Sequence, residues 1–265
     1  MKFATVEGLR CEAQPGMRAF CASCNAAVTA KCGSKRVWHW AHIGVRNCDP
    51  WWESETEWHR NWKNRFPTHW QEIRRRDTSG ELHIADVETE AGIVIEFQHS
   101  NISATERASR EHFYGQMVWV VDGTRLKKDL PTFFQAISNR LPFKSVPASW
   151  VLTVNDAPIL ERWRGSRCPV YLDFGDAPYS ELAPESELIL WRLMFAKDGR
   201  AITAIPVRQS SFIAQQTAGE ELQGYVHAKA RMIEAMRRRQ SNRIEFPSTN
   251  KFETCRYKKK VRRRF

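Results

Sequence analysis

Residues 81–100 read ELHIADVETEAGIVIEFQHS. Two runs inside this stretch, Leu82 to Val87 and Ile93 to Gln98, have the composition of strands. Thr89, Glu90, Ala91 and Gly92 stand between them, and a short polar loop ending in glycine predicts a β-hairpin. Strand side chains alternate, so Ile93, Ile95 and Phe97 share one face and Val94, Glu96 and Gln98 the other. Closing the hairpin around residues 89–92 brings Asp86 opposite Glu96. Two carboxylates and an amide then converge at one end of a sheet. Hard cations such as Mg²⁺ take oxygen ligands, so the pattern outlines a divalent-metal site.

Asp86 followed by Glu96-Phe97-Gln98 resembles the active-site core of the PD-(D/E)xK nucleases. In that core an Asp ends one strand and Glu-x-Lys follows on the next; Gln98 stands here where Lys is usual. The words HIADV, VIEFQHSNIS and RASREHFYGQMVWVVD are similar to those of the competence protein CoiA family, as are HWAH and ESETEWHRNWK upstream. The resemblance runs from about Cys21 to about Asp122. It implies an α/β fold, a PD-(D/E)xK nuclease-like mixed sheet flanked by helices. It also implies a nuclease that hydrolyses DNA phosphodiesters, in DNA processing for recombination as in bacterial competence. Asp86 and Glu96 would hold Mg²⁺ or Mn²⁺, with a Glu of the first helix, Glu57, as a further ligand. Gln98 would position a water without adding charge. Arg110 and Tyr114 match an R-x-x-x-Y pair of the family, and such an Arg would grip the scissile phosphate bidentately. The plainer reading of that pair is a surface Arg beside a core Tyr. His83 and His99 flank the site, where histidines are more often structural.

Composition limits the alternatives. The 265 residues are 42% hydrophobic and 27% charged, which are globular values. No apolar run approaches the ~18 residues of a transmembrane helix, and the first residues lack a signal-peptide core. These features predict a cytoplasmic protein. Five of the seven Cys precede residue 49, and in a reducing compartment such clustering argues for metal. The net charge is +11. Residues 229–265 hold fourteen Lys or Arg against three Glu, so the remainder of the chain is balanced. A basic tail on a neutral body predicts a polyanionic partner, nucleic acid first.

Residues 1–50 read as a zinc-stapled module. CASC supplies Cys21 and Cys24 with the two-residue gap of a zinc knuckle. His39-Trp40-Ala41-His42 and then Cys48 follow. The family resemblance favours His39 and His42 as the second ligand pair. Their gap of two is shorter than the usual three to five, so His42 with Cys48 stays open. Cys11 and Cys32 read as bystanders. Residues 51–148 read as the nuclease-like core. Its first helix spans residues 51–70, with Ser54 as N-cap and Glu57 completing a capping box. Glu57 thus has two readings, capping acid and metal ligand. His59 and Lys63, one turn apart, reach a phosphate or are simply solvated. Seven of the eleven Trp lie between residues 38 and 70. They read as core, with base stacking as the sharper alternative.

Ser103 opens a second helix, and MVWVVD is a short apolar strand suited to a buried central position. Residues 123–150 read as a helix and connector. Residues 149–218 form a β-rich C-terminal extension with strands in WVLTV, CPVYLDFG, LILWRLMF and AITAIPV. Asp173 in YLDFG lacks the companion words of a kinase. Residues 219–265 are a helix over 219–243 and a basic tail, disordered until it binds. The expected DNA contacts are Lys63, Lys258, Lys259, Lys260, Arg262, Arg263 and Arg264. The rival reading is a non-catalytic nucleic-acid binding protein with a degenerate nuclease fold. Retention of both Asp86 and Glu96 argues against it.

Overall fold

The computed structural model describes residues 1–44, 48–51, 53–142, 148–176, 188–196 and 199–218. They belong to one compact unit, Met1–His227. The chain opens with five short strands: β1 (Phe3–Val6), β2 (Leu9–Glu12), β3 (Arg18–Phe20), β4 (Ala27–Lys31) and β5 (His39–His42). They form an antiparallel sheet in the order β2-β1-β3-β4-β5. Its inner side covers a small core of Ala4, Ala19, Cys21, Val28 and Trp40.

Eight further strands build the second sheet: β6 (Gln71–Arg76), β7 (Leu82–Glu88), β8 (Val94–Gln98), β9 (Met117–Asp122), β10 (Trp150–Thr153), β11 (Val170–Asp173), β12 (Ile189–Phe195) and β13 (Ala201–Arg208). Their order is β10-β13-β12-β11-β9-β8-β7-β6. The helices are α1 (Glu57–Lys63), α2 (Ala104–Tyr114), α3 (Asp129–Ser138), α4 (Pro158–Arg162) and α5 (Gln209–Ala218). The hairpin forms as its alternation dictates. Gly92 (φ 75°) completes the turn, and Thr89 closes it by donating its N–H to the Ile93 carbonyl at 2.9 Å. β8 and β9 run parallel, as do β9 and β11, and parallel neighbours need a crossover. Helix α2 makes the first crossover. Ser103 caps it by accepting the Glu106 N–H at 3.0 Å, and Gly115 (φ 67°) ends it.

Helices cover both faces of this sheet. On one face Val94, Met117, Trp119, Val121 and Leu172 pack with α2, α3 and α4 through Tyr114, Phe133, Ile137, Ile159 and Leu160. On the other face Ile93, Ile95, Phe97, Val118 and Val120 pack with α1 and α5 through Trp62 and Phe212. All six residues of β9 are buried, as its apolar sequence requires. Each fully buried aliphatic side chain here contributes ~1.5–3 kcal/mol.

Three sequence expectations change. The helix expected over 51–70 is shorter. It starts at Glu57 because Thr56, not Ser54, is the N-cap, accepting the His59 N–H at 3.3 Å. It stops at Lys63, and only a 3-10 turn, Thr68–Trp70, follows Pro67. Proline removes a donor and biases the preceding residue away from helix. The strands of residues 149–218, expected as a β-rich extension, continue the same sheet, because β11 docks on β9 with Leu172 beside Val121. Helices α4, with Pro158 in its first turn, and α5 interrupt a stretch whose composition reads as strands alone. The helix expected over 219–243 and the basic tail lie outside the described residues. Among the described residues no helix is long and apolar enough to cross a membrane.

Candidate metal centres

The CASC stretch follows β3 as a knuckle. Cys21 donates its N–H to the Ala26 carbonyl (2.8 Å) and accepts the Asn25 N–H on its own carbonyl (2.9 Å). Asn25 takes the left-handed conformation (φ 59°) that Asn tolerates better than most residues. The Ser23 N–H points at the Cys21 sulfur at 3.3 Å. His42 closes β5, and Cys48 comes up beside Cys21, Sγ to Sγ 3.5 Å. Cys24 Sγ lies 3.3 Å from His42 Nε2. The ligand atoms of Cys21, Cys24, His42 and Cys48 all fall within 4.8 Å of one another. Zinc with Zn–S bonds of about 2.3 Å needs tetrahedral edges of about 3.8 Å, so three sulfurs and one nitrogen at these spacings suit it. The Cys21 thiol is pushed down to about 4, first by the hydrogen bond from Cys48 and then by the Cys24 and Ser23 N–H groups, against burial. A low thiol pKa favours the thiolate that zinc takes.

His39 is not in this set. A strand turns residues three apart to opposite faces, and His39 Nδ1 meets the Val37 carbonyl instead, at 2.9 Å. Among the described residues, the pair that comes together with Cys21 and Cys24 is therefore His42 with Cys48. Cys11 and Cys32 stand apart from the cluster.

The second centre lies in the hairpin. Val87 pairs with Ile95 and Glu88 with Val94, but the ladder stops there. Beyond it the side chains take over. The Asp86 N–H donates to Glu96 Oε1 (3.1 Å), and the Phe97 N–H donates to Asp86 Oδ2 (3.0 Å). On the other flank of β7 the pairing with β6 also skips Asp86, between Val87 opposite Gln71 and Ala85 opposite Ile73. There Glu72 takes a left-handed backbone (φ 48°) and turns its carboxylate to the Lys2 and Phe3 N–H groups, at 2.6 and 3.0 Å. The break opens a cleft of about 80 Å³, whose lining includes Glu53, His59, Lys63, Asp86, Glu96 and Arg110.

Charge in this cleft is dense. Lys63 is 3% exposed and bridges Glu55 (2.8 Å) and Glu72 (3.0 Å), with Asp86 Oδ1 at 4.0 Å. Arg110 Nη1 holds Glu96 Oε2 at 3.1 Å. Its other donors go to Glu106 and to the Trp51 carbonyl. Burial raises the Asp86 carboxyl, opposed by Lys63 and His59. Burial first, and Asp86 second, push Glu96 up to about 8 against Arg110. Burial also pulls His59 below its usual value, so it is neutral at pH 7.

Several expected roles move. Glu57 is exposed at the start of α1 and borders a different depression, with Ser34 and Lys35. Lys63 is no surface phosphate contact, because Glu55 and Glu72 draw it inward. Arg110 is engaged with Glu96 and is not free to clamp a phosphate. Tyr114 lines the cleft, and burial raises its hydroxyl pKa. Gln98 gives its amide to Glu53 and to the Ser100 carbonyl (3.1 Å) and lines a neighbouring depression. His83 is buried between Asp49 (2.9 Å) and Glu81 (2.7 Å), and His99 bonds Asp122 at 2.7 Å. Among the tryptophans, Trp62 and Trp70 are core. Trp58 and Trp62 both donate to Asp173 Oδ2, at 2.9 and 2.8 Å, which fixes α1 on the sheet. Sequence reasoning missed Asp49, Glu53, Glu55 and Glu72. The signal was present in ESETE, since an extended segment before the helix turns Glu53 and Glu55 the same way. The tail residues Lys258, Lys259, Lys260, Arg262, Arg263 and Arg264 lie outside the described residues.

A cysteine–histidine centre suited to zinc is thus joined to a mixed α/β sheet with a buried carboxylate pair. Residues 12–50, which contain all four zinc-type ligands, match the family model described as competence protein CoiA, N-terminal domain. The match is a likeness of this N-terminal segment alone. No curated protein and no solved structure matches the chain.

Proposed function

We propose that the chain is a divalent-cation-dependent nuclease that hydrolyses DNA phosphodiesters through a PD-(D/E)xK-type centre, in a competence-related step. The observation that carries this reading is the meeting of Asp86 and Glu96 where β7 leaves its ladder on both sides. Mg²⁺ or Mn²⁺ held by Asp86 and Glu96 would supply Lewis acidity toward a phosphate oxygen and acidify a water. The chain's own groups prepare the site. Backbone N–H groups aim both carboxylates, and Arg110 fixes the outer oxygen of Glu96. Burial first and Asp86 second raise Glu96, and a cation between the two carboxylates would oppose that rise. Neutral His59, with Nε2 3.9 Å from Glu53, is the cleft residue suited to accept a proton. A cleft of about 80 Å³ admits an ion with ordered waters but no nucleotide, so DNA would dock over its mouth. The basic tail supports DNA as the polyanion.

The test is cleavage of single-stranded, duplex and branched DNA with Mg²⁺, Mn²⁺ or chelator. Metal-dependent cleavage lost in Asp86→Ala and Glu96→Ala supports the reading. Binding without cleavage of any substrate returns the chain to the non-catalytic alternative.

A further inference from the structure

The two metal centres share a wall. His42 and Cys48 of the zinc set line the same cleft as Asp86 and Glu96. The segment that leaves the zinc set, residues 48–53, carries three clamps at alternate positions. Asp49 accepts from His83 Nδ1 and from the Ile84 N–H, each at 2.9 Å, and so grips β7 two residues before Asp86. The Trp51 ring lies flat on His83, centroids 3.2 Å apart, and its carbonyl accepts from Arg110 Nη2 at 2.7 Å. Arg110 is the residue that holds Glu96. Glu53 accepts from the Gln98 amide and from the Ser100 N–H (3.2 Å), at the end of β8. Every strand or helix that presents a cleft carboxylate of the hairpin is therefore tied to a strap whose first residue is Cys48.

We infer that Asp49, Trp51 and Glu53 are positioning residues that couple the zinc centre to the carboxylate centre, so that each cation is held more tightly when the other is bound. The inference rests on the proposed cation site at Asp86 and Glu96. Zinc fixes Cys48 and thereby the origin of the strap. The strap fixes β7 and Arg110, and they set the separation of Asp86 and Glu96. Coupling of binding free energies is reciprocal, and values of about 5- to 150-fold are typical. With three short clamps in series, about tenfold is the expected size.

The experiment uses the full zinc-loaded chain and two measurements. Calorimetry gives the Mg²⁺ affinity. The rate of zinc release to a chromogenic chelator that ignores Mg²⁺ gives zinc retention, with and without saturating Mg²⁺. In the wild type Mg²⁺ should slow zinc release about tenfold. Asp49→Ala should keep one zinc per chain but bind Mg²⁺ about tenfold more weakly, and its zinc release should no longer respond to Mg²⁺. Asp49→Asn, which retains an acceptor for the Ile84 N–H, should recover part of the response. A purely structural Asp49 would lower the melting temperature without touching this cross-response. Wild-type zinc release indifferent to saturating Mg²⁺ overturns the coupling, even if the variants fail to fold. So does an Asp49→Ala protein that responds like the wild type. A wild type that binds no Mg²⁺ in the calorimeter is a different failure, because it removes the cation site itself.

Discussion

Replacing Glu96 with Gln should flatten the pH dependence of stability when no divalent cation is added. The Glu96 carboxyl titrates near 8 in the folded protein, against 4.5 for an ordinary Glu. Between these values the folded chain binds more protons than the unfolded one. The stability that this proton contributes is complete below about pH 4.5 and is lost as pH rises through about 8. Each pH unit between the two values corresponds to about 1.4 kcal/mol, so the whole window amounts to about 5 kcal/mol. Arg110 already opposes this rise in the value of about 8, so the part of the window between pH 5 and pH 8 amounts to about 4 kcal/mol. For a body of this size 1 kcal/mol moves the melting temperature by about 2–4 °C. Wild-type melting should therefore fall by roughly 8–16 °C more than that of Glu96→Gln between pH 5 and pH 9. The raised carboxyl of Asp86 adds a loss of the same sign, and His83, raised by Asp49 and Glu81 against burial, another. The His83 contribution remains in the variant, while that of Asp86 shrinks with the Glu96 charge, so the difference between the two proteins reports the Glu96–Asp86 pair. Mg²⁺ at a hundred times its dissociation constant should return about 2.7 kcal/mol to the wild type near pH 8 and much less to Glu96→Gln. Differential scanning calorimetry from pH 5 to pH 9 makes the measurement. Parallel curves for the two proteins would mean that Glu96 titrates as an ordinary carboxyl, and the account of its buried charge would fall.

Four further outcomes are expected. Cys48→Ser should cost the protein its zinc while His39→Ala keeps about one equivalent, read by metal analysis; the reverse result would put His39 back in the ligand set. In cleavage assays Asp86→Ala should abolish activity, Gln98→Ala should slow it less, and exposed Glu57→Ala should leave it unchanged. Asp173→Ala removes the acceptor of two indole N–H groups and should destabilise by about 3 kcal/mol, with a matching shift in tryptophan fluorescence; an unchanged melting temperature contradicts that role. A chain ending at Phe246 loses eight basic residues against one Glu. It should bind DNA with a salt slope shallower by roughly three units, and parallel salt plots would remove the tail from binding.

What the sequence revealed was local. The hairpin and the pairing of Asp86 with Glu96 follow from alternation and one glycine turn. The Ser103 cap and the buried strand at Met117–Asp122 were legible for the same reason. CASC announced two zinc ligands because the knuckle is four residues long. The other two depended on knowing that HWAH is a strand, where His39 and His42 part company. The choice among Glu53, Glu55 and Glu57 depended on where α1 begins, and two cap residues stood two positions apart. The burial of Lys63 was decided in part by Glu72, nine residues away on β6. No local pattern shows that the strands of residues 149–218 join the first sheet, because β11 reaches β9 across some fifty residues of chain.

Among the described residues β6 is one of the two outermost members of the eight-stranded sheet. An outermost strand offers unpaired backbone groups to any passing chain, including a second copy. β6 ends in Arg74, Arg75 and Arg76, of which Arg75 is tied to Glu88 at 2.6 Å while Arg74 and Arg76 are exposed. A second β6 laid alongside would set like charges against one another at the spacing of neighbouring strands, about 4.8 Å. The sheet thereby resists growing by self-addition on that flank.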